Sequence, residues 1–508
     1  MYRRTFLILP SPGPDEPPAE PHLPPPLFPP PWVVRPYGDA RGHFRRSKGP
    51  VKNPPRQDPL IVDLDGDGIE TTNLDTGAHF DHDGNGFAEL TGWVGSDDGL
   101  LVMDRNGDGI INDGRELFGD HTVLATGTPA SNGFEALADL DGNADGTIDK
   151  NDPAYAQLMV WQDADGDGYT SAGELHTLDD LGIKAIDIDS TITSATDAQG
   201  NTQTRTGSFE KADGSVGEIA EYNLRSDHAY SIADASLDVP DAIASLPYLW
   251  GCGVVYDLHQ SMVKDTGGQL QSLVEQFRDA ADPTRRGVLM ERILFKWTGT
   301  ENIDPTSKGS EVDARKPATL EKLFGESFVG WYGPNPIHEA AVLINASYSE
   351  IFELMYTQLM IQTHFKDLLQ RVTCAWDDER QVVKVDLNTV AGVLIDLQAG
   401  LADDPAQGRQ IIGEFARILR GAGIGTTTPG YLSFRETFIQ LDPTLDWVID
   451  SGGLPVIDQP VYQFPDFPPN EWVMGICNSA WYGIGTDNAE ALRVGVTVLA
   501  ILDGRGGK

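Results

Sequence analysis

The stretch Asp58-Pro59-Leu60-Ile61-Val62-Asp63-Leu64-Asp65-Gly66-Asp67-Gly68 divides the chain into two parts of opposite character. Residues 1–57 are rich in proline and carry a net charge of +5, whereas residues 58–230 are rich in glycine and carry a net charge of −29. The apolar run Leu60–Val62 predicts a short buried strand. The Asp-x-Asp-x-Asp-Gly pattern that follows it predicts a loop that binds a cation.

Length and charge limit the class of protein. A chain of 508 residues with a net charge of −40 is long enough for two or three domains. Its acidic excess repels itself unless cations neutralise it. Nucleic acid is not expected as a partner, because phosphate binding requires a basic face. The three cysteines lie far apart in sequence and form neither a disulfide framework nor a zinc pattern.

The composition of the sequence and the spacing of its apolar residues predict an α+β protein with four segments. We expect a disordered Pro-rich segment at 1–57, an α+β module with EF-hand-like calcium loops at 58–230, a mostly α-helical domain at 240–450 and an irregular C-terminal segment at 451–508. In the module we expect helices at 153–162 and 174–181, and a β-hairpin at 202–224 that turns at 212–214. Helical spacing of apolar residues predicts further helices at 270–280, 285–297, 337–372, 390–401 and 407–419.

Two loops carry the complete pattern of a calcium site. Calcium takes six to eight oxygen ligands, which a tight loop supplies at positions 1, 3, 5, 7 and 12, with glycine at position 6. Residues 163–174 (DADGDGYTSAGE) offer the side chains of Asp163, Asp165, Asp167 and Glu174, and the backbone carbonyl of Tyr169. Residues 141–152 (DGNADGTIDKND) offer Asp141, Asn143, Asp145, Asp149 and Asp152, and the carbonyl of Thr147.

Three other loops carry a less regular pattern. Residues 104–116 offer Asp104, Asn106 and Asp108, with the closing Glu116 at position 13. Residues 81–92 offer Asp81, Asp83, Asn85 and Glu89, with glycine where a closing acid is expected. Residues 63–68 offer Asp63, Asp65 and Asp67, and they need Glu70 or a distant acid to complete the shell. One such pattern could be an Asx-rich turn, but five in one module predict Ca²⁺ as the cofactor.

Four stretches in order resemble the self-processing module of the iron-regulated RTX proteins (Frp type): DPLIVDLDGDGIET, FDHDGNG, TGWVGSDDGLLVMDRNGDGIINDGRELFGD and VWQDADGDGYTSAGELHTLDDLGI. The resemblance covers residues 58–225, and the region from Leu246 to about residue 450 resembles the helical segment that follows this module in large RTX-type proteins. It implies that calcium binding triggers scission of the Asp58–Pro59 bond. It also implies that the freed Asp58 end can be linked to a Lys amine, including one of another protein, by an isopeptide bond.

The dipeptide alone identifies nothing, because the chain has six Asp-Pro bonds, at residues 58, 152, 282, 304, 404 and 442. Most of them are predicted helix starts. The chemistry at Asp58 is nevertheless intelligible, since its carboxylate can attack its own carbonyl carbon and form a five-membered cyclic anhydride. We therefore expect a single-turnover, autocatalytic cleavage with Asp58 and Pro59 as the reacting residues.

The alternative from the residues is a purely structural calcium-binding module in a secreted toxin or adhesin, without catalysis. No sequence pattern of a common hydrolase appears. The apolar run Phe6–Leu9 is too short for a signal peptide, and no run of 18 apolar residues occurs, so no membrane span is expected. We expect a protein that is secreted or lies on the cell surface and leaves by a route without an N-terminal signal.

Overall fold

A computed structural model describes residues 58–328, 335–336, 338–377 and 382–421, together with residues 436 and 440. The predictions of a disordered segment at 1–57 and an irregular segment at 451–508 lie outside the described residues. The strands are β1 (Leu60–Val62), β2 (Ala78–Phe80), β3 (Phe87–Thr91), β4 (Gly99–Val102), β5 (Thr147–Asp149), β6 (Met159–Trp161), β7 (Leu175–Thr177), β8 (Ile183–Asp187), β9 (Thr191–Thr196), β10 (Thr202–Lys211), β11 (Val216–Asn223), β12 (Ser226–Ala233), β13 (Cys374–Asp377) and β14 (Val382–Val385).

A nine-stranded antiparallel sheet organises the acidic module, with the strand order β5-β8-β10-β11-β1-β4-β6-β7 and β9 paired to β10. Strand β1 lies near the middle of this order. Leu60 is opposite Glu221 of β11, and Ile61 is opposite Leu100 of β4. The predicted hairpin is confirmed, since β10 and β11 pair and the chain turns between them at Gly214, where φ is +83°.

The side chains of β1 enter two different cores. Leu60 and Val62 pack on one face of the sheet with Phe118, Phe134 and their neighbours. Ile61 packs on the other face with residues that include Trp93 and Trp161. All three residues of β1 are at most 1% exposed. Because successive side chains of a strand point to opposite faces, β1 is fixed only when both cores are assembled.

A second sheet, in the order β12-β3-β2, connects the module to a helical region. Ala229 of β12 belongs to the helical core, and Ser231 donates a hydrogen bond to the carbonyl of Gly253. Strands β13 and β14 form a separate hairpin.

The helices are α1 (Gly133–Ala138), α2 (Asp241–Ala244), α3 (Leu258–Lys264), α4 (Gln269–Asp279), α5 (Pro283–Trp297), α6 (Arg315–Phe324), α7 (His338–Gln362), α8 (Lys366–Leu369), α9 (Leu387–Asp403) and α10 (Pro405–Gly421).

Sheets and helices together make this an α+β protein, as predicted. The predicted helices at 270–280, 285–297, 390–401 and 407–419 are confirmed as α4, α5, α9 and α10. The region predicted as one helix at 337–372 contains two, α7 and α8. Among the helices of the described residues, none has the length and apolar character that crossing a membrane requires.

The two predicted helices inside the module are wrong. Residues 153–162 contain a single 3₁₀ turn, Tyr155–Gln157, and then strand β6, while residues 174–181 contain strand β7. The reason is pairing, because β6 lies between β4 and β7, and Val160 and Trp161 are fully buried there. Loop 163–174 therefore joins two strands of a hairpin, and the flanking helices of an EF-hand are not formed around it.

Candidate functional site

The Asp58–Pro59 bond is held at the entrance to β1 by backbone hydrogen bonds from both sides. The amide of Leu60 donates to the carbonyl of Phe118 over 3.1 Å, and the amide of Tyr222 donates to the carbonyl of Pro59 over 3.2 Å. On the side chain, Oδ1 of Asp58 accepts the backbone N–H of Asp120 at 2.8 Å. The bond thus lies between residues 118–120 and strand β11.

The carboxyl group of Asp58 is almost buried, with 9% of the residue exposed. Burial and, to a lesser extent, the nearby charge of Asp120 together raise its pKa to about 9. Gly119 lies directly against this group, since a Cβ atom added there would be 2.8 Å from Asp58 Oδ1 and 2.9 Å from the Asp58 carbonyl oxygen. At neutral pH Asp58 is therefore a protonated acid, packed against a glycine that no larger residue could replace without displacing it.

Loop 163–174 brings three of its predicted ligands together. Carboxylate oxygens of Asp163, Asp165 and Glu174 lie within 4.8 Å of one another. Asp163 is fully buried and accepts the amides of Gly166 at 2.8 Å and Gly168 at 2.9 Å. The loop is tied to the core by two indoles: Trp93 donates to Asp163 at 2.7 Å, and Trp161 donates to Glu174 at 3.3 Å. The side chain of Asp167 lies outside the group of three.

Loop 63–68 is completed by a residue that sequence reasoning missed. Oxygens of Asp63, Asp65 and Asp98 lie within 4.8 Å of one another. Asp98 is fully buried and accepts the amides of Leu64 at 3.2 Å and Glu70 at 2.9 Å. Burial raises its pKa to about 7. Asp63 follows β1 directly and Asp98 precedes β4 directly, so this acidic cluster lies where the two paired strands meet the loop.

Two further loops have the same local geometry, although no group of three acids converges in them among the described residues. Asp104 accepts the amide of Gly109 at 2.9 Å, and Asp141 accepts that of Gly146 at 3.0 Å. The closing acids bond within their own loops: Glu116 accepts the amide of Asn112 at 3.0 Å, and Asp152 accepts that of Gly142 at 2.9 Å. The other predicted side-chain ligands lie on these loops, and some bond neighbouring amides: Asn106, Asp108, Asn143, Asp145 and Asp149.

Loop 81–89 holds two buried acids, Asp81 and Glu89. Asp81 accepts the amides of Asn85 at 3.0 Å and Gly86 at 2.7 Å. Glu89 is 2% exposed, and its Oε2 atom has no hydrogen-bond partner. Burial and, to a lesser extent, the charges of Asp83 and Asp81 together raise the pKa of Glu89 to about 8. Burial likewise raises the pKa of Asp81 to about 7.

These loops fit a hard divalent cation. Every side-chain ligand in them is an oxygen atom, and the two converging clusters consist of acids, of which Asp63, Asp98 and Asp163 are buried. Nitrogen and sulfur ligands, which zinc and copper prefer, are absent from the two converging clusters of the described residues. Oxygen-only sites of this kind suit Ca²⁺. Asp67 remains exposed at the tip of its loop, with its amide bonded to Asp65 at 3.2 Å.

The first comparison with known proteins concerns the module alone. Residues 60–225 match the family model described as the SPM domain. These residues therefore form an Frp-type self-processing module, as their motifs predict.

A curated relative can also be named. The chain is 39% identical over 247 residues to the iron-regulated protein FrpA of Neisseria meningitidis serogroup C. The match takes in 48% of this chain and 22% of FrpA, so the chain spans about a fifth of that relative's length. The likeness of the helical region to the corresponding segment of RTX proteins stays a prediction.

Asp98 provides a test of the cluster that the sequence did not reveal. Asp98→Asn keeps the size of the side chain but removes its charge. We expect the calcium concentration at the midpoint of folding to rise about tenfold, which corresponds to about 1.4 kcal/mol of binding free energy. Tryptophan fluorescence during a calcium titration measures it. The exposed neighbour Asp97 provides the control Asp97→Asn, and equal midpoints for the two variants would remove Asp98 from the site.

The raised pKa values predict how the metal-free module depends on pH. In EGTA, the free energy of unfolding should fall by at least about 2 kcal/mol between pH 6.5 and 9. At pH 6.5 the folded protein retains protons on Asp58, Glu89, Asp81 and Asp98 that the unfolded chain has lost, and it releases them near pH 7 (Asp81 and Asp98), 8 (Glu89) and 9 (Asp58). Unfolding therefore releases protons, and rising pH favours the unfolded chain.

Below pH 6.5 the free energy of unfolding of the metal-free module depends less strongly on pH. Burial lowers the pKa of His79 and His228 to about 4, and these groups gain protons on unfolding, which opposes the carboxyls. Urea unfolding followed by fluorescence measures the effect. Stability that rises from pH 6.5 to 9 in EGTA would contradict the assignment of buried protonated acids.

Proposed function

We propose that the module cleaves its own Asp58–Pro59 peptide bond when Ca²⁺ binds, and that the chain is part of a secreted RTX-type protein. The observation that carries the proposal is the state of Asp58, whose carboxyl is buried at the start of the central strand and held by a distant segment. Its Oδ1 accepts the amide of Asp120, 62 residues further along the chain. A side chain fixed in this way has lost the rotamer freedom that makes intramolecular attack slow.

The reaction uses only atoms of Asp58 and Pro59 and one water molecule. An oxygen of the Asp58 carboxyl attacks the Asp58 carbonyl carbon and forms a C–O bond. The nitrogen of Pro59 takes a proton, the C–N bond breaks, and Pro59 leaves as a secondary amine. The remaining five-membered cyclic anhydride is opened by water, which returns two carboxyl groups at Asp58. The elevated pKa of Asp58 makes its oxygen a better nucleophile once the proton is transferred.

The other Asp-Pro bonds have a different geometry. Asp282, Asp304 and Asp404 accept amides two or three residues further along their own chain, as caps and turns do. Asp152 has both oxygens occupied, by the amides of Gly142 and Asp149. Asp442 lies outside the described residues. A carboxylate that caps its own backbone is turned away from its carbonyl carbon, so these bonds are expected to persist.

Calcium would be held by loops 63–68 with Asp98 and 163–174, and by the loops at 81, 104 and 141. When bound, it supplies positive charge that offsets the repulsion among the buried carboxylates. With this repulsion reduced, β1 can pair with β11 on one side and with β4 on the other. Since Asp58 lies two residues before the first residue of β1, ordering that strand fixes the reacting carboxyl.

The anhydride has a second possible fate. A Lys amine of the same or another protein can attack one of its carbonyl carbons. The C–O bond breaks, the nitrogen loses a proton, and Asp58 becomes joined to the Lys by an isopeptide bond. The segment that ends at Asp58 would then be attached to the protein that supplies the amine, which would make a Lys-bearing protein the partner.

Substitution of the reacting residues tests the chemistry. Asp58→Ala removes the nucleophile and should abolish calcium-induced scission, while Asp58→Asn should be nearly as inert because an amide cannot form the anhydride. Pro59→Ala should slow scission because the scissile bond becomes a secondary amide in place of a tertiary one, and a primary amine must leave. Gel electrophoresis after calcium addition measures the rates, and fluorescence checks folding. Scission of folded Asp58→Ala at the wild-type rate would leave the purely structural calcium module as the function.

Gly119 tests whether packing positions the reacting group. In Gly119→Ala, the added Cβ would lie 2.8 Å from Asp58 Oδ1 and 2.9 Å from its carbonyl oxygen. One of them must move, and we expect scission to slow by about 10²-fold, as misplacement of about 1 Å does elsewhere. Gly287→Ala is the matched control, since nothing lies within 4 Å of its Cβ position. An unchanged rate for folded Gly119→Ala would show that this contact does not set the geometry.

A further inference from the structure

The carboxyl group of Asp120 lies close enough to that of Asp58 for its charge to raise the pKa of Asp58. Two ionised carboxylates repel each other and can only accept hydrogen bonds, so a single proton on the pair is favoured. The Asp120 backbone amide donates to Asp58 Oδ1 as well, at 2.8 Å. Asp120 therefore holds the reacting carboxyl through its main chain and acts on it through the charge of its side chain.

A partly exposed histidine, His121, lies beside the carboxyl group of Asp120. Oδ1 of Asp120 is buried and lacks a hydrogen-bond partner within normal distance, while Nε2 of His121 lies 3.5 Å from it. The side chains of Asp120 and His121 are each 39% exposed. Asp120 and His121 thus lie between the buried Asp58 carboxyl and the solvent.

We propose that Asp120 is the proton-carrying catalytic residue of Asp58–Pro59 cleavage. This inference rests on the proposed self-cleavage. It identifies the residue that protonates the leaving nitrogen of Pro59, which the sequence alone does not reveal. As an Asp58 oxygen attacks the carbonyl carbon, its proton passes to the Asp120 carboxylate and the carbonyl electron pair moves to oxygen. When the C–N bond breaks, that pair returns and the Pro59 nitrogen takes the proton from Asp120.

The step is balanced without any other reactant. One C–O bond forms, one C–N bond breaks, and the single proton shared by the two carboxyls ends on the proline amine. His121 then acts as a positioning residue that keeps Asp120 turned towards Asp58. Such a general acid is worth about 10²- to 10⁴-fold in rate.

The other charged groups around Asp58 do not offer this route. Glu221 is the second acid whose charge acts on Asp58, but its two oxygens are occupied by the amide of Gly133 at 2.6 Å and the hydroxyl of Thr204 at 2.7 Å. Arg205 lies 3.5 Å from Glu221 and cannot give up a proton near neutral pH. Among the charged groups whose contacts with Asp58 are described, Asp120 is the one free to exchange a proton.

The test compares Asp120→Asn, Asp120→Glu and the control Asp139→Asn at saturating calcium. Asn keeps the backbone amide that binds Asp58 but cannot carry the proton, so scission should slow by about 10²-fold. Glu retains the acid and should recover much of the rate with a shifted pH profile. Asp139 lies at the end of α1 and accepts the amide of Ala125, so its variant should cleave as the wild type does. The wild-type rate should fall above about pH 9, where the shared proton is lost.

Two results would overturn the role of Asp120 while leaving self-cleavage intact: scission of Asp120→Asn at the wild-type rate and pH profile, or a rate loss matched by an equal loss of calcium-induced fluorescence change. In the second case Asp120 would be a folding residue only. If the wild-type protein itself shows no scission in calcium, the proposed self-cleavage is wrong, and the catalytic role of Asp120 is wrong with it.

Discussion

The burial of strand β1 is the constraint on which the rest of the module depends. Three residues, Leu60–Val62, pair with β11 and β4 and fill cores on both faces of the sheet. A strand this short has little stability of its own, so its position is determined by the surrounding elements. Asp58 and Pro59 stand immediately before it. The geometry of one peptide bond is therefore coupled to the assembly of the whole module.

Charge opposes that assembly. The segment 58–230 carries a net charge of −29, and several of its acids are buried in places where desolvation raises their pKa. The same loops present oxygen ligands around glycines with left-handed backbone, such as Gly86 and Gly168, with φ of +88° and +79°. A bound divalent cation would remove the repulsion at the points where the loops join the strands. In the account proposed here, metal binding, folding and positioning of Asp58 are one coupled event.

Much of this could be predicted from the sequence, because the relevant signals are local. The loops, the hairpin at 202–224 and the later helices all depend on spacing and turn residues within a few positions. The helices predicted at 153–162 and 174–181 failed because β6 and β7 pair with each other and β6 pairs with β4, and such pairing overrides local propensity. Asp98, Asp120 and the indole of Trp93 were missed for a related reason. They reach the site from segments between 33 and 70 positions away, and no spacing rule links them to it.

The most direct test of the account is the identity of the products that wild-type protein forms in calcium. Purified protein is incubated in H₂¹⁸O with saturating calcium and no protease, and the fragments are analysed by mass spectrometry and N-terminal sequencing. The account predicts a large fragment that begins at Pro59 and carries no label, and a small fragment that ends at Asp58 with one ¹⁸O atom in its carboxyl groups. Protein that stays intact while it folds, or a large fragment that begins anywhere other than Pro59, would contradict it.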